Sequence, residues 1–297
     1  MKGKTVSTQP SFYTDSTKEI VLSGTNGKMD KNRFVHPNDR SAMEAFDKIP
    51  GADTITRSIT TGSAEKFLLA KCYAENIRVN EHQLPEIYKL LRPICDKLQL
   101  GDKTPTLFIE NSPIPNACTY GVSDVVVILT SSLIRDLSEK EISAVIAHEC
   151  GHILCEHTLY LTAGMMLRFL GGTFLPGLVL EPFKIALAYW SRMSELSADR
   201  VGAYVAAPET MKAALLRLAG IPRYVAERIN MEEYQRQMEE YERRRERIMD
   251  KTLMNLYSTY RDHPFMVARI REIEEWTASI PYQRLARSAA THHSPST

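Results

Sequence analysis

The stretch from Ser138 to His152, SEKEISAVIAHECGH, constrains this chain more than any other part of it. Ser138 followed three positions later by Glu141 is a capping box, which predicts a helix start. Ile142, Val145 and Ile146 then recur at helical spacing and give that helix a buried face. On such a helix His148 and His152 lie one turn apart, about 40° round the axis, so both imidazoles project the same way. Two nitrogens so placed can reach one metal ion at ~2.0–2.1 Å. Glu149 sits ~100° round from His148, beside such an ion, where a base must stand to take a proton from water. Cys150 points away from His148 and does not count as a ligand. Gly151 costs about 1 kcal/mol relative to alanine in a helix interior, which predicts a neighbouring backbone packed close against it.

Given 8 His and 24 Glu in 297 residues, a His-Glu-x-x-His string arises by chance in roughly two of a hundred such chains. A second element strengthens it. Catalytic zinc usually has three protein ligands and one open position. In the helical stretch Trp190–Arg200, the residues Arg192, Glu195 and Asp199 fall within about 60° of one another. Glu195 would complete a His2Glu set, and Asp199, one turn on, could accept the free N–H of a metal-bound histidine. Arg192, one turn earlier, could hold a carboxylate in place. The same residues also read as ordinary helical ion pairs, Glu195 with Arg192 or Asp199 with Arg200.

Together with a late His263-Pro264, these motifs resemble the gluzincin zinc metallopeptidases of the CAAX prenyl protease and HtpX heat-shock protease type. The likeness runs from about Pro105 to Trp276, and Asn38–Leu98 resembles the N-terminal helical part of the soluble bacterial members. The resemblance implies that His148, His152 and Glu195 bind one Zn2+ per chain, that Glu149 is general base and acid, and that Asp199 supports a zinc histidine. It also implies that His263 steadies an oxyanion, and that Arg269, in the pattern His-Pro-x-x-x-x-Arg, holds that region or the substrate. Asn116-Ala117 falls where the family places an edge strand, whose unpaired backbone would pair with an extended peptide. The several long apolar spans of the membrane members are missing, so prenyl-protein processing within a membrane is not carried over. The activity implied is zinc-dependent endopeptidase action on peptides or unfolded proteins. A non-catalytic zinc scaffold and a membrane-associated quality-control protease stand as the rival readings.

The rest of the chain sets the frame. With 37 Lys+Arg against 36 Asp+Glu, nothing favours nucleic acid as a partner. Five cysteines without a C-x-x-C pair, and a polar start without an apolar leader, predict reduced thiols and a cytoplasmic location. Thr158–Leu180 is long enough to span a bilayer, but Arg168 near its middle and Gly171-Gly172 and Pro176-Gly177 favour a cleft-lining helix and a loop. Peripheral membrane contact through this segment is the alternative, while the oligomeric state has no signature.

The expected fold is α+β and mainly helical, zincin-like, with a small sheet from Pro105 to Thr130 beside the His-Glu-x-x-His helix. Residues 1–33 read as loosely ordered apart from a short strand at Glu19–Leu22, 34–100 as a helical region packed on the catalytic part, 101–280 as the metallopeptidase domain, and 285–297 as a frayed tail. Helices are expected from Asn38 to Ile49, Ala64–Asn76 and Leu84–Leu98, and strands at Pro105–Glu110, Asn116–Tyr120 and Val125–Thr130. Residues 223–251, with 8 acidic and 8 basic side chains, read as one long solvated helix.

Overall fold

Pro37 opens the first helix, α1 (Pro37–Asp47), where its missing N–H costs nothing. His36 Nδ1 caps that turn by accepting the Asn38 N–H at 3.0 Å. The computed structural model describes residues 29–170, 177–247 and 266–291. The expected strand at Glu19–Leu22 and the residues His263, Pro264, His292 and His293 lie outside them. Of the expected loose segment 1–33, Lys31–Arg33 forms a 3-10 turn capped by Asp30.

After α1 come α2 (Ala52–Ile59), α3 (Gly62–Glu75), β1 (Ile77–Val79) and α4 (Pro85–Lys97). Helix α2 has no counterpart in the expected elements. Its sequence ADTITRSI is rich in β-branched residues, which are indifferent helix formers. Tertiary burial decides it: Ala52 joins the cluster of Phe46, Phe183 and Trp190, with Ile55 and Ile59 packed alongside.

The sheet follows, with β2 (Thr106–Glu110), β3 (Ala117–Tyr120) and β4 (Val126–Thr130) in the spatial order β1-β2-β4-β3. Strands β2 and β4 are parallel, with Leu107 opposite Val127 and Ile109 opposite Leu129, and the two outer pairings are antiparallel. Leu107, Ile109, Val127 and Leu129 enter the main core. Phe108, Tyr120, Val126 and Ile128 point the other way, against Leu68 and Cys72 of α3. Burial of both faces explains why these strands read as unbroken apolar runs without alternation.

The chain is then helical: α5 (Ser131–Asp136), α6 (Glu139–Leu154), α7 (Thr158–Leu170), α8 (Gly177–Ala206), α9 (Pro208–Leu218), α10 (Arg223–Ala226), α11 (Met231–Arg247), α12 (Met266–Ala278) and α13 (Ile280–Thr291). The expected single helix over 223–251 is broken. Asn230 Oδ1 accepts the N–H groups of Glu232 and Glu233, capping a new start that a continuous helix would not contain. The tail expected from 285 is also revised, because α13 runs to Thr291. Leu285 is buried in the main core, and Tyr282 packs edge-on to Trp276 at 4.9 Å between ring centres. Among the described residues no helix is long and apolar enough to cross a membrane.

Candidate metal centre

Helix α6 starts as its sequence demands. The Ser138 N–H donates to Glu141 Oε2 at 2.7 Å, and the Glu141 N–H donates to Ser138 Oγ at 3.4 Å. Helix α8 packs against α6 through small residues. A Cβ on Gly151 would come within 2.9 Å of Val201 Cβ and 3.0 Å of Ala198 Cα, so glycine is needed for the approach of the two backbones. This close crossing brings Glu195 of α8 to the two histidines of α6.

His148, His152 and Glu195 are all buried and offer one ligand atom each within 4.8 Å of one another. Glu195 Oε2 is 3.6 Å from His148 Nε2, and Glu195 Oε1 is 3.3 Å from His152 Nε2. Two ligands held at ~2.0–2.1 Å on a tetrahedral ion stand about 3.3–3.4 Å apart, so the spacing fits a shared zinc-sized cation. The donor set, two imidazole nitrogens and one carboxylate, is a zinc set as well.

Behind His148 stands Asp199. Its Oδ1 lies 3.0 Å from His148 Nδ1, within ion-pair range but too oblique for a well-formed hydrogen bond. Arg269 grips Asp199 with two donors, Nε to Oδ2 at 2.7 Å and Nη2 to Oδ1 at 2.6 Å, and its Nη1 reaches Glu195 Oε2 at 3.2 Å. Burial alone would raise the Asp199 carboxyl, but the Arg269 charge and hydrogen bonds outweigh it and hold it below the usual carboxylate range. Burial likewise lowers His152, yet the neighbouring Glu195 carboxylate more than offsets this and leaves it above its ordinary value.

Glu149 is buried beside this cluster, and its Oε2 accepts the Thr119 hydroxyl at 2.6 Å. Thr119 belongs to β3, which lies at the margin of the sheet. Asn116 leads into that strand, donating its N–H to Thr130 Oγ1 at 2.9 Å and accepting the Thr130 N–H at 3.0 Å. Ala117 sits opposite Leu129.

The structure therefore brings together His148, His152, Glu195, Asp199 and Arg269, with Glu149 beside them and Asn116-Ala117 at the sheet edge. Arg192 is buried with its guanidinium 5.9 Å from the centre of the Tyr189 ring. Arg269 itself is buried and faces the carboxylates of Asp199 and Glu195.

Three further residues surround the centre, two in contact with it and the third one step behind. Thr119 could have been found from its place two positions after Ala117 on the same strand face. His157 is a third histidine just past the end of α6, and its Nδ1 is 3.0 Å from His152 Nδ1. Asp39 of α1, 3.0 Å from His157 Nε2, has no sequence signal at all.

Residues 81–277 match the sequence model described as Peptidase family M48. The chain is 29% identical over 267 residues to "Plastoglobule-localized metallopeptidase 48, chloroplastic" of Arabidopsis thaliana, covering 88% of this chain and 77% of that protein. It is also 29% identical over 195 residues to "Protease HtpX homolog" of Burkholderia multivorans, covering 55% of this chain and 67% of that one. A match over well more than half its length, joined to a buried His-His-Glu cluster on two crossing helices, gives the conclusion that the chain belongs to peptidase family M48 and is a metallopeptidase.

Proposed function

We propose that this metallopeptidase is a zinc-dependent endopeptidase acting on peptides or unfolded proteins, with His148, His152 and Glu195 holding one Zn2+. The observation that carries the reading is the convergence of two Nε2 atoms on one carboxylate, at 3.3 and 3.6 Å from its two oxygens, with Glu149 on the same helix as the histidines. Bound zinc would supply Lewis acidity toward a peptide carbonyl and bring the pKa of water toward ~7.

Glu149, aligned by the Thr119 hydroxyl, takes the proton of the attacking water and later delivers it to the leaving amine. Asp199 stands behind His148, and Arg269 keeps Asp199 charged and holds Glu195 in place; it acts through them. His263 is assigned the oxyanion on the resemblance of its His-Pro motif alone. Because Asn116 and Thr130 bond to one another, alternation along an antiparallel pair turns the N–H and C=O of Ala117 and Thr119 away from β4. An extended peptide pairing there gains affinity from backbone bonds and little side-chain selectivity, which suits unfolded chains.

The cellular setting we propose is cytoplasmic, with peripheral membrane contact through Thr158–Leu180. Exposed Phe169, packed against exposed Phe67 at 5.0 Å between tilted ring centres, supports the contact, as does a relative named as plastoglobule-localized. Flotation of the purified chain with liposomes tests it, and a chain that stays at the bottom of the gradient removes it.

For the reaction, Glu149→Gln is expected to keep stoichiometric zinc while hydrolysis of a fluorogenic peptide falls at least ~100-fold. Undiminished cleavage by that variant would refute the mechanism. Wild-type protein that binds zinc yet cleaves nothing would favour the scaffold reading.

A further inference from the structure

The end of α6 is built to return a histidine to the site it has just supplied. Glu156 adopts a left-handed conformation, φ 64°, which turns the chain back on the helix. The His157 N–H then donates to the His152 carbonyl at 2.9 Å and the Glu156 N–H to the Ile153 carbonyl at 3.1 Å. This pair of bonds sets the two imidazoles side by side with Nδ1 facing Nδ1 at 3.0 Å. Lys31 pairs with Glu156 and secures the turn.

Beyond His157 the contacts continue in one direction. His157 Nε2 is 3.0 Å from Asp39 Oδ2. The same carboxylate accepts the Trp190 Nε1–H on Oδ1 at 3.0 Å and the Ser197 hydroxyl on Oδ2 at 2.6 Å. Ser197 Oγ itself accepts the His36 N–H at 2.8 Å, which leaves its own proton for Asp39. Trp190 and Ser197 both donate to Asp39, so His157 meets the same carboxylate with an N–H at Nε2 and, as a neutral imidazole, keeps a lone pair at Nδ1. His152 must then be the donor between the two rings. An imidazole protonated at Nδ1 keeps its Nε2 lone pair, and that Nε2 is the atom facing Glu195.

We propose that His157 and Asp39 are positioning residues for the metal ligand His152, fixing its tautomer and ring orientation. The inference rests on the zinc reading above. Asp39 lies on α1, outside residues 81–277 that match the family model, so a helix beyond the matched segment completes the surroundings of the metal centre.

The test uses the full chain in three forms: wild type, Asp39→Asn and His157→Phe. Zinc dissociation constants are measured by competition with a chromophoric chelator, together with the visible spectrum of the Co2+-substituted proteins and the Tm of the metal-free ones. Both variants are expected to bind zinc about 10–100-fold more weakly and to show a shifted Co2+ spectrum. A merely structural role would move the metal-free Tm and leave both metal readouts unchanged. Asp39→Asn preserves shape, so it decides alone if His157→Phe does not fold. Wild-type binding with Asp39→Asn within about twofold of it overturns this inference by itself. A wild type that binds no zinc overturns the metal reading and this inference with it.

Discussion

The two histidines of α6 are chemically equal in sequence and unequal in the folded chain. His148 has a carboxylate behind it, Asp199, itself held by the buried fork of Arg269. His152 has His157 behind it and Asp39 one step further. Burial alone would raise Asp39, but His157, Ser197 and Trp190 outweigh it and hold it below the usual carboxylate range. Burial pushes His157 below its ordinary value although Asp39 pulls it up. Removing one partner of a buried ion pair leaves uncompensated charge, so Arg269→Met is expected to cost about 3–5 kcal/mol, read from urea unfolding of the metal-free protein. A loss below about 1 kcal/mol would mean that the carboxylates find other partners. The position of Arg269 could not be read from its sequence motif, because its contact with Asp199 joins residues 70 apart on two different helices.

At the scale of elements, the centre depends on how closely α6 and α8 cross. Gly151 and Gly202 mark that crossing; a Cβ on Gly202 would meet Met211 Sδ at 2.5 Å and the Ala144 carbonyl at 3.3 Å. Gly151→Ala is expected to destabilise by about 1–3 kcal/mol through overpacking, and to weaken zinc binding as the helices separate. Differential scanning calorimetry with and without zinc reads both effects, and an unchanged Tm would contradict the packing argument. The starting signals of α6 and its glycine were legible in sequence because capping boxes and helical periodicity are local. Helix α2 and the break at Asn230 were not. The first depends on burial against Phe46, Phe183 and Trp190, and the second on one side chain winning a local competition for two backbone donors.

Across the whole molecule, the N-terminal helices are tied into the metallopeptidase part at several points. His36 bonds Glu272 at 2.9 Å, Asp39 supports His157, and Glu65 of α3 caps the turn between β3 and β4. Glu65 Oε1 accepts the N–H groups of Val122, Ser123 and Asp124 at 2.5, 2.6 and 3.0 Å. Gly121 opens that turn at φ 106°, where a side chain would strike the Asp124 carbonyl. Burial alone would raise Glu65, yet these backbone donors outweigh it and leave its carboxyl below 4.5. A carboxyl lowered on folding contributes stability that is complete above its unfolded pKa and fades as pH falls through the folded one. Glu65→Gln is therefore expected to lose about 1–3 kcal/mol at pH 7. Denaturant titrations should show the gap to wild type narrowing below pH 4.5, and a gap that stays constant would exclude the charged cap.

The primary structure by itself determined the half of the centre that one helix carries. His148, Glu149 and His152 are set by a 3.6-residue period, and no distant contact is needed to aim them. The apolar runs at residues 106–110 and 126–130 were equally self-contained as strands. Tertiary structure decided what stands behind those ligands: Arg269 on the carboxylates, Thr119 on Glu149, and His157 with Asp39 behind His152. Buried polar groups must find partners wherever the packing of apolar faces happens to bring them, and no periodicity along the chain records which faces will meet.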